Sequence, residues 1–265
     1  MRIVVPIKQV PETSGVRMDE TTGTVVRDGA EVIVNPLDLY AIESALRLCG
    51  DSDEALALSM GPPKAETALR EAIAMGCAGG VLVSDRTFAA SDTWATSHVL
   101  AAAVRKLGQV DLVICGERAT DGDTGQVGPE VAAFLGLPVA TYVSRIVACE
   151  GDRVVVERLV ETGYETLELQ LPAVLTVVKE AADPRLPTLR GKQRARTVGI
   201  PVWSARDLEI DAADVGLRGS PTRVVRIFRP SIARQCELLT ADDPAAIEAA
   251  CDRVVAYLEQ NGLLA

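Results

Sequence analysis

The residues able to do chemistry are few. Histidine occurs once, His98, at a core-like position inside a helical pattern, so no Ser/His/Asp or Cys/His arrangement can be assembled. The six cysteines, Cys49, Cys77, Cys115, Cys149, Cys236 and Cys251, form no CxxC pair and, Cys236 apart, lie beside an apolar or small residue. They read as buried free thiols of a reducing compartment, and zinc or iron–sulfur ligation would need them clustered. Acidic residues are scattered over helix starts and polar faces. Hydrolysis and general acid–base catalysis are therefore poorly supported, and no catalytic or metal-ligating residue is assigned.

Nucleotide binding is better supported. Gly116-Glu117-Arg118-Ala119-Thr120-Asp121-Gly122-Asp123-Thr124-Gly125-Gln126-Val127-Gly128-Pro129 is a glycine-rich loop that opens a helix. Free backbone N–H groups and the helix dipole suit such a loop to phosphate, and Thr124 and Gln126 can add side-chain donors. Neither GxGxxG nor GxxxxGK[ST] is present. Asp121 and Asp123 would repel a phosphate if aimed at it; turn formation and capping, or a ribose or backbone contact, are both open to them. Three further loops with Gly, Pro, Asn or Gln converge on the same function: Lys8-Gln9-Val10-Pro11, Asn35-Pro36, and Ser59-Met60-Gly61-Pro62-Pro63.

These loops follow strands. Arg2 to Ile7, Ala55 to Met60, Gly80 to Ser84 and Val110 to Cys115 are apolar runs of strand length. Leu37 to Cys49, Ala65 to Met75, Asp92 to Leu107 and Pro129 to Leu135 have helical spacing, with Gly50, Gly76 and Gly136 as stops. Strand–helix alternation with short connections predicts an α/β, Rossmann-like, doubly wound and mostly parallel sheet, whose ligands sit outside the carboxyl ends of the strands. A short strand Thr24 to Arg27, bracketed by turn signals, and strands at Val139–Val147, Val154–Val160, Glu165–Leu171 and Ala173–Val178 are also expected. The 48% hydrophobic content with 3% aromatic residues matches an aliphatic core covered by helices.

After Val178 the pattern changes. Residues 1–182 read as the nucleotide-binding domain. Residues 183–199 are basic and lack an apolar period. Residues 200–265 read as an irregular C-terminal arm ending in a helix from Asp243-Pro244, with Ile247, Ala250, Val254 and Leu258 as its stripe. A net charge of −10 argues against nucleic acid or an anionic membrane as the main partner. No run approaches the ~20 apolar residues of a membrane span, and a cytoplasmic location is expected.

In this order the motifs resemble the beta subunits of electron-transfer flavoproteins over nearly the whole chain. The resemblance rests on Val5-Pro6-Ile7-Lys8-Gln9-Val10-Pro11, on Asn35-Pro36 followed by Ala41-Ile42-Glu43, on Met60-Gly61-Pro62 and on Asp121 to Pro129. It continues through Gly163-Tyr164-Glu165-Thr166, Leu171-Pro172-Ala173 and Pro184 to Lys192. It implies nucleotide phosphates on Asp123 to Gly128 and an adenosine end against Lys8 to Pro11, Asn35 and Met60-Gly61. It implies a recognition loop in which Leu189, flanked by Arg190 and Lys192, enters a pocket of an acyl-CoA-type dehydrogenase. It also implies an arm embracing an FAD-containing alpha subunit, with Glu165 contacting that subunit near its flavin.

Such subunits hold either structural AMP or, in electron-bifurcating forms, a second FAD that takes a hydride, with its electron pair, from NADH and passes one electron to ferredoxin or flavodoxin as the low-potential acceptor. Thr22-Gly23-Thr24 to Arg27-Asp28-Gly29, Asp121 to Thr124 and Leu189-Arg190-Gly191-Lys192 resemble the bifurcating branch. The alternatives are a non-bifurcating subunit that holds AMP and, from another class, a stand-alone ATP-binding module.

Overall fold

The computed structural model describes residues 1–12, 17–18, 25–26, 32–225 and 236–264. Strand β1, Arg2–Pro6, is buried from Ile3 onward. A strand covered on both faces must be apolar at consecutive positions, and this one is. Alternation sends Ile3 and Val5 into one core and Val4 into the other.

The chain leaves β1 through β2 (Gln9–Pro11), β3 (Arg17–Met18), β4 (Val25–Val26) and β5 (Val32–Val34). Here β2 pairs with β5 and β3 with β4, both antiparallel. The expected strand around Val25 is thus present, whereas its bracketing turn residues lie outside the described residues. Helix α1 (Pro36–Leu48) buries Ala41, Ile42 and Ala45 against the first core. Then β6 (Glu54–Met60), α2 (Glu66–Met75), β7 (Gly79–Val83), α3 (Thr93–Leu107), β8 (Leu112–Gly116) and α4 (Val127–Leu135) alternate as expected. Asp92 caps α3, its carboxylate accepting from the Ala95 N–H at 3.0 Å.

After α4 come β9 (Val139–Glu150), β10 (Arg153–Val160), β11 (Gly163–Gln170) and β12 (Ala173–Val177). Among the described residues these complete a sheet in the order β11-β10-β9-β12-β8-β1-β6-β7, with one further strand at its edge. The pairs from β9 through β12, β8, β1 and β6 to β7 are parallel, and β9-β10-β11 is an antiparallel extension. Beyond β1 the chain adds strands on one side, then crosses to β8 on the other. The switch point therefore falls between the carboxyl ends of β1 and β8.

Two expectations about the C-terminal third change. Residues 183–199 are not all loop, because Leu189–Thr197 forms helix α5. Its support is tertiary. Ala195 buries against Ile73 and Ala74, and the Arg194 guanidinium donates to the Cys77 carbonyl at 2.9 Å. At Gly191 any Cβ would collide with the Ala74 carbonyl, so glycine is what lets α5 lie on α2. Nor does an arm begin at residue 200. Strand β13 (Val202–Trp203) pairs in parallel with β7, and Ala205, Leu208 and Val215 enter the second core. The short helix α6 (Gly216–Gly219) follows, and the Thr222 N–H bonds the Asp92 carboxylate at 2.9 Å. The first compact unit runs from Met1 to Arg226, and the second covers Ile227 to Ala265.

The second unit contains α7 (Pro244–Gln260), capped by Asp243 and steadied by an Arg253–Glu237 ion pair at 2.8 Å. Ile247, Val254, Val255 and Tyr257 on α7 are exposed. Cys77 and Cys115 are buried thiols, but Cys236 and Cys251 are exposed, against expectation. Cys251 lies on α7, which buries none of its residues, and Cys236 precedes that helix, between Gln235 and Glu237 in the sequence. No described helix is long and apolar enough to cross a membrane.

Glu43 ties α1 to the segment before α5. Its buried carboxylate accepts from Arg185 Nε at 2.7 Å and Nη2 at 3.1 Å, and from Arg47 Nε at 2.9 Å. Burial alone would push this carboxyl up, but the two guanidiniums overcome it and hold the group below its ordinary 4.5. Arg185→Ala is expected to cost about 2 kcal/mol in urea unfolding at pH 7, the scale of a charge-assisted bond to a buried partner. A depressed carboxylate contributes stability above its unfolded value and loses it as pH falls through the folded one. The variant's deficit therefore shrinks below pH 4.5. An equal deficit at pH 3.5 and pH 7 would contradict the assignment.

Candidate functional site

A cleft of about 1020 Å³ opens at the switch point. That is the upper end of the range for small-molecule sites. Lys8, Met60, Gly61, Gly116 and the stretch Gly122 to Gly128 all line it, so the structure brings these expected residues together.

The glycine-rich loop has the form its composition suggested. Asp123 and Gly125 adopt φ of +54° and +65°, and α4 begins directly after Gln126. Gln126 makes no side-chain cap bond, which leaves the first amides of α4 open toward the cleft. Its amide oxygen instead accepts from Thr93 Oγ1 at 3.1 Å, and Glu130 accepts from Ser97 Oγ at 2.9 Å, stapling α4 to α3. The two loop carboxylates are turned to cations. Asp121 pairs with Lys8 Nζ at 2.7 Å, and Asp123 with Arg118 Nε at 3.2 Å. Their charge is thus partly met within the protein.

Gly128 and Gly116 explain why the cleft can exist. A Cβ at Gly128 would strike the Thr176 methyl of β12, and one at Gly116 would lie 2.5 Å from Asp38 Oδ1. Backbone approaches this close give a bound phosphate main-chain N–H groups rather than side-chain bulk. The open helix end, the absent Cβ atoms and the flanking Lys8 and Arg118 fit a nucleotide or dinucleotide held by its phosphates.

Other expected contacts lie elsewhere. Gln9, Val10 and Pro11 form β2, with Val10 buried and the Gln9 amide donating to the Lys64 carbonyl and Thr67 Oγ1 at 3.0 and 2.6 Å. Ser59 is fully buried, and its hydroxyl finds no partner among the described residues. Asn35 is fully buried too, its amide donating to Asp38 Oδ1 at 2.8 Å and to the Arg118 carbonyl at 2.9 Å. Its oxygen accepts from the Thr120 N–H at 3.1 Å. Asn35 thus shapes the loop from behind. Among the residues expected at a partner surface, Leu189 is 88% exposed, Arg190 and Lys192 are exposed, and Glu165 pairs with Arg158 at 3.1 Å. His98 stacks on Phe134, in keeping with a structural role.

Two parts of the site escaped the sequence. The segment Ser84 to Thr93, with Arg86, forms one wall. Applying the strand-end rule to β7 as well would have found it. The other is Asp38 on the floor, only 6% exposed, which a first-turn carboxylate does not announce. Its Oδ2 accepts from the Lys8 N–H at 2.7 Å. Burial pushes the carboxyl up to about 7, against the pull of that N–H and of Asn35. Between its ordinary 3.8 and about 7 the folded chain keeps a proton the unfolded chain has lost. Ionising Asp38 therefore weakens the fold as pH rises through that window.

Gly128→Ala is expected to cost about 1–3 kcal/mol, the range for overpacking, and to abolish nucleotide retention. Adding Thr176→Ser, which removes the obstructing methyl, should recover much of both. Retention by the single variant, read from nucleotide released on denaturation, would contradict the close-approach role.

The family model of the electron transfer flavoprotein domain matches residues 22–208. The electron transfer flavoprotein subunit beta of Thermoanaerobacterium thermosaccharolyticum is 44% identical over 96% of this chain and 98% of its own. The caffeyl-CoA reductase-Etf complex subunit CarD of Acetobacterium woodii is 44% identical over 91% and 92%. The acryloyl-CoA reductase electron transfer subunit gamma of Anaerotignum propionicum is 40% identical over 96% and 98%. The chain belongs to the electron transfer flavoprotein family, as a beta subunit.

Proposed function

We propose that this chain is the nucleotide-binding half of a bifurcating electron-transfer flavoprotein, with FAD in the cleft and a second FAD in a partner alpha subunit. In that role it takes electrons from NADH and divides them between a low-potential carrier, ferredoxin or flavodoxin, and an acyl-CoA-type dehydrogenase. The observation that carries the reading is the roomy cleft at the switch point, closed by an uncapped helix start and a loop without Cβ obstruction. Relatives named for caffeyl-CoA and acryloyl-CoA reductase systems favour this branch.

A flavin bound here supplies the redox chemistry. The chain's own residues bind and orient. The amides opening α4 and the Thr124 hydroxyl hold phosphate, Lys8 and Arg118 offset its charge, and the Ser84–Thr93 wall restricts water. Two surfaces suit partners. The exposed apolar positions of α7 are the face offered to the alpha subunit, and Leu186 and Leu189 beside Arg190 and Lys192 are the face offered to the dehydrogenase. Leu189→Ala is expected to slow electron delivery to the dehydrogenase while flavin content stays unchanged; loss of flavin would contradict the docking role. With AMP in the cleft the same fold would serve single-flavin transfer. Denaturing the purified heterodimer and counting the released nucleotides decides between the two. Two FAD per heterodimer is the expected result, and one FAD with one AMP would overturn bifurcation.

A further inference from the structure

Asp38 places a carboxyl on the floor of a cleft whose other features invite an anion. Its geometry gives a reason for its presence. The two oxygens accept from different loops: Oδ2 from the Lys8 N–H at the exit of β1, and Oδ1 from Asn35 at the entry of α1. Asn35 in turn grips Arg118 and Thr120 at the exit of β8. One carboxyl thus sets the mutual position of the three loops around the switch point. Only a group with an acceptor on each side serves both donors, since asparagine here would set its own NH₂ against one of them.

The charges facing it are few. Lys8 comes from the β1 exit, with its ammonium 2.7 Å from Asp121, and Asp121 itself comes from the β8 exit. Beyond them on that loop, Arg118 is shared between Asp123 at 3.2 Å and Glu117 at 3.8 Å. On β8 beneath it lies Cys115, a buried thiol pushed up to about 12 by burial and therefore neutral. On α1, Glu43 is committed to Arg185 and Arg47. No side-chain cation makes an ion pair with Asp38 among the described residues, although the residue is only 6% exposed and lines the cleft.

We propose that Asp38 is the positioning residue of this cleft and that an anionic nucleotide binds together with one proton, taken from solvent onto the Asp38 carboxyl. The proposal rests on the nucleotide-binding reading above. Both oxygens already accept from the protein, so the added O–H is directed into the cleft the group lines, where it donates to a ligand oxygen or nitrogen. The step forms one O–H bond and moves no electrons. A carboxyl near 7 is mostly ionised above neutrality, and an arriving negative charge raises it further. Proton uptake is then greatest just above pH 7, and affinity falls by up to about tenfold per pH unit there.

The test is calorimetric titration of AMP into the nucleotide-free full-length chain at pH 7.5, in two buffers of different ionisation enthalpy. The expected result is uptake of about half a proton or more per AMP bound. AMP's own phosphate, with a second pKa of about 6, is already a dianion there, and a helix start favours that form. Asp38→Asn, shown to be folded by circular dichroism, loses one of the two loop contacts and should bind AMP more weakly, without uptake and without the fall in affinity above pH 7.5. If that variant does not fold, the carboxyl carbon resonance of Asp38 in the native protein decides. It should titrate near neutrality without AMP and at higher pH with it. Binding with equal heat in both buffers, undiminished uptake in Asp38→Asn, or an unmoved resonance would overturn the proposal. No binding of AMP at all would overturn the nucleotide reading, and this inference with it.

Discussion

Everything at the site follows from the reversal of winding at β1. The parallel sheet grows away from β1 toward β6 and β7, then restarts at β8 on the opposite side. Right-handed crossovers oblige the helices of the two halves to cover opposite faces. The exits of β1 and β8 are therefore adjacent in the sheet but feed chains that part, which leaves a gap no helix can fill. The two cores record the same division, with α1 and α2 over Ile3 and Val5, and α3 and α4 over Val4 and Val113. An opening between diverging chains would be a weakness without cross-ties. Asp38 and Asn35 provide them by bonding to both exits at once.

The loops that bound the opening divide the labour between shape and contact. Glycine at 116 and 128 permits backbone to lie against Asp38 and Thr176, whereas buried Asn35 and Val10 stiffen the rear. The residues left to meet a ligand are consequently main-chain amides and a few polar side chains on a rigid frame. A frame of this kind suits a cofactor that does its own chemistry and needs a fixed position and a tuned dielectric.

Much of this was legible in the sequence because the physics was local. The apolar runs at β1, β6, β7 and β8 and the glycine stops announced the alternation, and the stretch Gly122 to Gly128 announced a loop that lines the cleft. Three features were not legible. Helix α5 carries no apolar period because its support comes from outside, from Ala195 against Ile73 and from Arg194 reaching the Cys77 carbonyl. Val202 and Trp203 are too short a run to read as a strand, yet the open edge of β7 recruits them. Asp38 resembled an ordinary first-turn acid; only the fold shows it to be buried under the opening. Conversely, Asn35 and Gln9 were identified at the right place with the wrong orientation, since a sequence gives a residue's loop and not the side to which it turns.

The two tryptophans of the chain occupy contrasting environments. Trp94 is half exposed and lies 4.7 Å from Phe134, one residue beyond the cleft wall at Thr93. Trp203 lies on the sheet edge with the Lys106 ammonium 5.4 Å from its ring. The molecule thus carries two native optical labels at opposite ends of α3, Trp94 in its first turn and Trp203 beside Lys106 in its last. The emission of Trp94 is open to aqueous quenchers and sensitive to what fills the neighbouring cleft. That of Trp203 follows whether the last parallel strand remains seated on β7.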